Sequence, residues 1–289
     1  MSKFAEFINL LRIRQWHKNA FVFLGFFVLG DYGNYNLLIN ALSVFGAFCM
    51  VSSSVYIIND FRDIASDRNH PLKKNRPLAR GTIGVGYALV LAVLLCLSSL
   101  FLASLINTAA VIIISLYVLN NLAYSYYLKR VPIIDVFQIG LGFMLRIFAG
   151  TSGIGIYISE WMVITGFEIS LLIGYAKRYS ELTSGEDAYN QRKVLQEYSN
   201  ETLKSFMTIM ASATIITYSL YTLSARSIEI HGTTNLIYTI PLVIFGIFRF
   251  LYMIMFHQTG DDPASQIFRD KQMIVTIVLW AILYGLIIS

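Results

Sequence analysis

Long apolar runs separated by short polar segments dominate the chain. From Gly81 to Leu128 there are 48 consecutive residues without Asp, Glu, Lys or Arg. As one helix this run would be roughly 72 Å long at about 1.5 Å per residue, more than twice the ~30 Å hydrocarbon core of a bilayer. The run must therefore fold back on itself, and Asn107-Thr108 is the natural turn.

Dividing the apolar runs at their charged or turn-rich breaks predicts nine transmembrane helices. The runs lack the alternation of a β-strand, and four of the five prolines lie in connections. We therefore predict an all-α, polytopic membrane protein with a single transmembrane domain over residues 1–289. The approximate spans are 17–31, 36–58, 84–105, 108–127, 134–152, 159–180, 204–225, 234–256 and 271–288.

The basic residues predict the orientation of these spans. With the N-terminus in the cytoplasm, 19 of the 22 Lys and Arg residues fall in inner segments. Arg226 falls outside, and Arg146 and Arg249 fall within spans. We therefore expect a multi-pass protein of the inner (plasma) membrane with a cytoplasmic N-terminus and an external C-terminus. The loops after spans two, six and eight are long and polar, which places the function on the cytoplasmic side.

The composition supports a membrane protein whose inner face attracts anions. Hydrophobic residues make up 56% of the chain and charged residues only 13%, against about 25% charged in a soluble domain. The formal net charge of +5 would attract anionic lipids and phosphorylated substrates to the basic inner face. A basic rim facing the membrane explains this charge, so no nucleic acid is expected as a partner.

The segment after the second span carries three aspartates at helical spacing. Residues 59–67 read NDFRDIASD, so one helix would place Asp60, Asp63 and Asp67 on the same face. Carboxylates without His or Cys suit Mg2+, which completes its shell with water and substrate phosphates. A basic run at 73–80 can bind phosphate oxygens. The pattern predicts a metal–diphosphate site; the alternative is a solvated loop whose acids and bases pair with each other.

Residues 59–67 resemble the first aspartate-rich motif, NDxxDxxxD, of the UbiA superfamily of intramembrane prenyltransferases. Residues 76–81, RPLARG, resemble the RPxxxG that follows it. The resemblance implies nine transmembrane helices around a central cavity and a first motif that binds diphosphate through Mg2+. In that family a second aspartate-rich motif follows helix six. Here the corresponding residues 175–182, YAKRYSEL, hold one carboxylate and two cations, which suggests an additional phosphate site rather than a second metal.

In this departure the chain resembles one branch of the superfamily, the decaprenyl-phosphate phosphoribosyltransferase group. That group transfers ribose 5-phosphate from phosphoribosyl diphosphate to a polyprenyl phosphate. The likeness spans nearly the whole chain and includes RQWHKN (14–19), LRIFAG (145–150), KRYSEL (177–182) and the tail at 260–270. Two alternatives stay open: prenyl transfer to an aromatic acceptor, and a non-enzymatic lipid transporter, which would carry inverted repeats.

The resemblance implies a single transferase domain with cytoplasmic motif loops at about 59–83 and 177–203. Mg2+ on Asp60 and Asp63, completed by Asp67, would neutralise the leaving diphosphate. The acceptor phosphate is already anionic, so no general base is needed. Among the other candidates, Asn59 would bind a ribose hydroxyl or phosphate oxygen, and Arg76 and Arg80 would bind diphosphate. Lys177 and Arg178, with neighbouring Glu181, would bind the 5-phosphate or the diphosphate. Gln15 and Lys18 are candidates for the lipid phosphate, Arg14 is a further cation, and Tyr126 would line the cavity or belong to an interfacial aromatic belt.

Arg146, Glu168 and Arg249 fall in the interior of spans, where charge is costly and faces protein or a wet cavity. Arg146 and Glu168 lie at similar depths, so we expect a structural ion pair between them, with substrate binding as the alternative. Arg249 is expected to reach toward the inner face. Asp135 lies at the start of span five, where a negative charge is expected to stabilise the N-terminal end of the helix.

Overall fold

The computed structural model describes residues 3–69, 73–157, 159–183, 193–256 and 263–288, and this part of the chain contains helices but no strand. Short 3-10 segments connect several of the helices. In chain order the α-helices are α1 Lys3–Leu11, α2 Leu24–Leu29, α3 Tyr35–Arg62, α4 Ile64–Arg68, α5 Pro77–Arg80, α6 Val85–Ser104, α7 Thr108–Tyr126, α8 Ile134–Ala149, α9 Glu160–Thr183, α10 Asn200–Leu223, α11 Ala225–His231, α12 Ile240–Phe256, α13 Pro263–Ile267 and α14 Lys271–Ile288.

Within the described residues, seven helical stretches are long and apolar enough to cross a membrane. They correspond to predicted spans two to five and seven to nine, so the all-α, polytopic class is confirmed. The count of nine is not confirmed. The first predicted span, 17–31, is divided between a 3-10 segment, Ile13–Phe23, and the short α2. The sixth is α9, which falls outside these seven and carries charges along its length.

Polar side chains fix where several helices begin. The Asn34 side chain accepts a hydrogen bond from the Leu37 amide and starts α3. Asn107 accepts from the Ala110 amide at the start of α7, so the turn predicted at Asn107-Thr108 is confirmed. Such caps satisfy amides that have no partner within the helix.

The helices group into two compact units, residues 1–126 with 145–157 and residues 127–144 with 158–289. In the first unit α3 packs against α6 and α7. Buried serines bond across the α3–α6 contact: Ser54 donates to the Ala92 carbonyl at 2.7 Å and Ser99 to the Ala47 carbonyl at 2.8 Å. Small hydroxyl residues permit this close approach, as in other membrane helix pairs.

Two glycines of the first unit allow the backbone to cross itself closely. A Cβ on Gly150 would lie 1.6 Å from the Val22 carbonyl oxygen, and one on Gly25 would lie 2.5 Å from the Gly150 carbonyl oxygen. No other residue fits either position. The glycine that ends the LRIFAG stretch therefore holds the end of α8 against the first apolar segment.

The second unit is built on the packing of α9 against α10. Gly174 on α9 lets Val136 of α8 approach, since a Cβ at Gly174 would lie 2.7 Å from the Val136 side chain. This contact brings the beginning of α8 beside the polar end of α9.

Candidate active site

The aspartate motif lies where α3 ends and α4 begins. Asp63 separates the two helices, but the helical pattern of backbone hydrogen bonds nearly continues through it. The Asp63 amide bonds to the Asn59 carbonyl, and the Asp67 amide bonds to the Asp63 carbonyl. Asp60 and Asp67 are buried, whereas Asp63 is partly exposed. The three aspartates thus follow one another on a nearly continuous helical path, and they differ in burial.

Asp60 and Asp67 converge on one guanidinium. Arg76 Nη1 donates to Asp60 Oδ1 at 3.0 Å and to Asp67 Oδ2 at 2.7 Å. Across the described ranges no group of three His, Cys, Asp or Glu side chains is arranged to hold a metal ion. The expected set of three carboxylates is thus present here as two carboxylates that share a cation, with Asp63 beside them in sequence.

Arg12 supplies a second cation to Asp60, and the sequence interpretation did not include it among the site residues. Its Nη2 donates to Asp60 Oδ1, and its guanidinium also lies 5.0 Å from the centre of the Tyr56 ring. The backbone of Arg12 has a φ of 52°, in the left-handed region that a residue with a Cβ adopts only when its surroundings impose it. Hydrogen bonds on both sides impose it here, as described next.

Ser53 of α3 anchors the chain on both sides of Arg12. Its hydroxyl donates to the Leu11 carbonyl at 2.8 Å and accepts from Trp16 Nε1 at 3.0 Å. Leu10 and Leu11 are buried in an apolar cluster that includes Ile57. The amphipathic N-terminal segment is therefore a packed part of the first unit and carries Arg12 to the aspartates.

Arg80 bonds to a carboxylate of the same N-terminal segment. Its Nη1 donates to Glu6 Oε1 at 3.3 Å, and the Thr82 hydroxyl donates to Glu6 Oε2 at 3.0 Å. α5 begins with Pro77 and is followed by Gly81, whose φ of 74° suits glycine. The RPLARG stretch thus presents Arg76 to the aspartates and Arg80 to α1.

The end of α7 contacts the same motif. The Ser125 hydroxyl donates to Asn59 Oδ1, and the Arg62 guanidinium lies 3.5 Å from the centre of the Tyr126 ring. Tyr126 therefore lies beside the aspartate motif, although half-exposed. Whether Tyr126 lines the cavity or belongs to an interfacial aromatic belt stays open.

The remaining N-terminal candidates lie on the 3-10 segment that follows Arg12. Arg14 is exposed, and Gln15 and Lys18 are half-buried. The Arg14 carbonyl bonds to His17 Nδ1 at 2.8 Å. These residues lie on the same short segment as Trp16, directly after Arg12, and their roles in binding stay predictions.

In the second unit Arg178 is the centre of a buried ion-pair cluster. Arg178 Nε donates to Asp135 Oδ2 and its Nη1 to Glu181 Oε2, both at 2.5 Å. The side chains of Arg178 and Asp135 have no exposed surface, and Glu181 is 30% exposed. Arg178 is therefore committed to two carboxylates, and Lys177 is the cation of this pair that remains a candidate for phosphate.

Tyr198 completes this cluster from the segment that precedes α10. Its hydroxyl donates to Asp135 Oδ1 at 2.8 Å and accepts from the Ile133 amide at 2.5 Å. Burial raises the pKa of Tyr198 far above its ordinary value, and the charge of Asp135 acts in the same direction. The hydroxyl thus stays protonated at any physiological pH and can always donate to Asp135.

The charges within the spans are satisfied separately in each unit. Arg146 donates to Asn19 Oδ1 at 2.8 Å and to the Tyr117 hydroxyl at 3.0 Å. Glu168 accepts from the Thr217 hydroxyl at 2.6 Å. Polar residues of neighbouring helices thus stabilise each of these charges within its own unit, and the Arg146–Glu168 ion pair expected from the sequence stays a prediction.

Arg249 forms a two-point contact with Asp270. Nε and Nη2 donate to the two carboxylate oxygens at 3.1 and 2.6 Å. Asp270 Oδ1 also accepts from the Met273 amide and caps α14. Arg249 is thus the partner of a helix cap at the start of α14.

Comparisons with known proteins place this geometry in context. The UbiA prenyltransferase family model matches residues 19–278. The chain is 33% identical over 282 residues to the decaprenyl-phosphate phosphoribosyltransferase of Corynebacterium glutamicum, covering 94% of this chain and 83% of that protein. It is 30% identical over 258 residues to the Mycolicibacterium smegmatis protein of the same name, covering 83% of this chain and 80% of that protein.

A solved structure shares the fold. The UbiA homolog from Archaeoglobus fulgidus bound to GPP and Mg2+ matches 98% of this chain and 99% of its own with a TM-score of 0.73. The identity is 19%, so this likeness describes the helical architecture. The apolar helices and the match to the UbiA family model together show that the chain is a multi-pass membrane protein.

Proposed function

Because the chain belongs to the UbiA prenyltransferase family, we propose that it transfers 5-phosphoribose from phosphoribosyl diphosphate to a polyprenyl phosphate and releases diphosphate. Relatives named for this activity cover most of both chains at 27–33% identity. The single structural observation that carries the proposal is the site of the first unit, where two buried carboxylates are neutralised by two arginines on the protein's own segments. Such a set suits a highly charged diphosphate donor.

The carboxylates suit a magnesium ion as cofactor. Asp60 Oδ1 and Asp67 Oδ2 already face one cationic nitrogen, and hard oxygen donors with room for substrate phosphates are what Mg2+ takes in proteins. Bound there by Asp60 and Asp67, with Asp63 adjacent, Mg2+ would stabilise the negative charge of the leaving diphosphate.

The chain's own residues then bind and orient the substrates. An oxygen of the lipid phosphate forms the new bond to C1 of the ribose, and the bond from C1 to the diphosphate oxygen breaks with its electron pair leaving on diphosphate. Arg12 and Arg76 bind diphosphate oxygens, and Asn59 donates to one of them. These fixed charges stabilise the charge that develops on the leaving group.

The other candidates take the remaining phosphates. Lys177 is proposed to bind a substrate phosphate, while Arg178 and Glu181 act through the buried cluster that holds the end of α9. Gln15 and Lys18 bind the phosphate of the polyprenyl acceptor, and Arg14 adds positive charge. We place the N-terminus and this site on the cytoplasmic side of the plasma membrane and the C-terminus outside, following the distribution of basic residues.

The test is a direct assay of the purified protein. The protein in detergent is incubated with Mg2+, polyprenyl phosphate and isotopically labelled phosphoribosyl diphosphate, and the lipid is analysed by mass spectrometry. We expect labelled phosphoribose on the lipid, and loss of the product when Mg2+ is removed by chelation. A parallel incubation supplies prenyl diphosphate and an aromatic acceptor. Prenylated aromatic product without labelled lipid would overturn the proposal in favour of prenyl transfer.

A further inference from the structure

The amide of Asn59 has its orientation set by a neighbouring helix. Its Oδ1 accepts the hydrogen bond of the Ser125 hydroxyl, and Ser125 is buried at the end of α7. A side-chain amide presents a carbonyl oxygen at one end and two N–H donors at the other. With its oxygen bonded to Ser125, Asn59 meets a ligand with the Nδ2 donors.

A second contact holds the same two helix ends together. Arg62 lies one helical turn beyond Asn59 on α3, and its guanidinium lies over the ring of Tyr126, the residue after Ser125. The Asn59 carbonyl is also bonded to the Asp63 amide. Both the backbone and the side chain of Asn59 are therefore fixed, one residue before the carboxylate of Asp60.

We propose that Ser125 is a positioning residue that turns the Asn59 amide so that its N–H donors face an oxygen of the diphosphate. The inference rests on the proposed function for the identity of the donor. An acceptor end directed at the diphosphate would repel it, because both groups would present lone pairs. By donating to Oδ1, Ser125 holds the amide in the orientation that presents N–H donors, although it does not touch the substrate.

Kinetics of Ser125→Ala and Ser125→Thr test this role. Without the hydroxyl, the amide loses the hydrogen bond that holds it in place, and we expect kcat/KM for the donor to fall about 3- to 10-fold, the usual size of one lost hydrogen bond. The KM for polyprenyl phosphate should stay within about twofold. Ser125→Thr keeps a hydroxyl and should restore most of the loss. Ser115→Ala on the same helix is the matched control, because the Ser115 hydroxyl bonds to the Val111 carbonyl of its own helix.

A double-mutant cycle separates positioning from a general effect on the fold. Ser125→Ala should cause no further loss in an Asn59→Ala background, since the group it orients is gone. Additive losses, a failure of threonine to restore activity, or an equal rise in the KM of both substrates would overturn the proposal.

A binding measurement keeps this test independent of the transfer reaction. Calorimetric titration of the detergent-solubilised protein with inorganic pyrophosphate in the presence of Mg2+ should show about 3- to 10-fold weaker binding for Ser125→Ala and native binding for Ser125→Thr. If wild type forms no labelled lipid but this pattern is observed, the proposed function fails while the role of Ser125 stands. Equal binding by wild type and Ser125→Ala would reject the role of Ser125.

Discussion

In the first unit the acidic side of the ion-pair cluster is buried and the basic side is partly open: Asp60 is 3% exposed, whereas Arg12 and Arg76 are 24% and 26% exposed. In the second unit both members of the central pair, Arg178 and Asp135, are fully buried. The chemical groups are the same in the two clusters. What differs is whether the arginine can reach water or a ligand.

This difference separates a binding site from a structural cluster. A partly exposed guanidinium can leave its carboxylate for a phosphate, since it is hydrated during the exchange. A fully buried one would leave an unpaired charge in a medium of low dielectric constant, which is strongly unfavourable. We therefore propose ligand exchange for the cluster around Asp60 and structural support of α8 and α9 for the cluster around Arg178.

The largest expected effect is on stability, from Arg178→Met. Removing this cation leaves the buried Asp135 carboxylate unpaired, which costs about 3–5 kcal/mol and should lower the melting temperature in detergent by roughly 10 °C. Arg226→Met is the matched control, because Arg226 pairs with Glu229 at the surface, and it should melt like wild type. A variant with the native melting temperature and a raised KM for the donor would place Arg178 in the binding site instead.

The next effect is on activity, from Asp60→Asn. The substitution removes the charge that both arginines and the proposed Mg2+ require, so turnover should fall on the order of 10²–10³-fold. The melting temperature should change little, because Arg12 and Arg76 can be hydrated at their open side. Asp31→Asn, at an exposed aspartate, serves as control. Near-native turnover of the Asp60 variant would remove the aspartate motif from the reaction.

Hydropathy and local spacing predicted the parts of the fold that depend on neighbouring residues. The turn at Asn107 follows from the length of an uncharged run, and the aspartate motif follows from spacing within about two helical turns. The count of nine spans is not confirmed, because the first apolar segment is divided between a 3-10 segment and a short helix, in a region where the backbone at Gly150 crosses closely over Val22. That crossing joins residues far apart in sequence, so no local pattern indicates it.

The same limit explains the residues that sequence reasoning placed differently. Arg12 lies 48 positions from Asp60 and reaches it through a left-handed backbone conformation, whereas Arg14, two residues on, was chosen as the site residue. Lys177 and Arg178 are adjacent cations, so their sequence does not reveal which one is buried. The sequence does contain one signal, because a second arginine, Arg12, stands two positions before Arg14. Only the tertiary contact with Asp60 distinguishes Arg12 from Arg14.

A smaller effect with opposite signs is expected from Arg12→Gln. In the protein without donor, Arg12 competes with any metal ion for Asp60, so its removal should tighten Mn2+ binding, measured by electron paramagnetic resonance, by about 2- to 5-fold. Pyrophosphate binding in the presence of Mg2+ should weaken about tenfold, because a charge-assisted hydrogen bond is lost. Arg12→Lys should be intermediate in both. Weaker binding of both Mn2+ and pyrophosphate would mean that Arg12 only supports the fold.

The smallest effect concerns the Arg249–Asp270 pair at the start of α14, and it depends on pH. The hydrogen bond from Arg249 lowers the pKa of Asp270 below its ordinary value. Its stabilisation is therefore present above about pH 4, the unfolded-state pKa, and is lost as the pH falls through the lower folded-state pKa. Asp270→Asn keeps a good helix cap but loses the ion pair. It should melt about 2 °C below wild type at neutral pH, and the difference should disappear in acid. A difference that is unchanged in acid would show that Asp270 acts through the cap alone, so that only the clusters around Asp60 and Arg178 depend on charge.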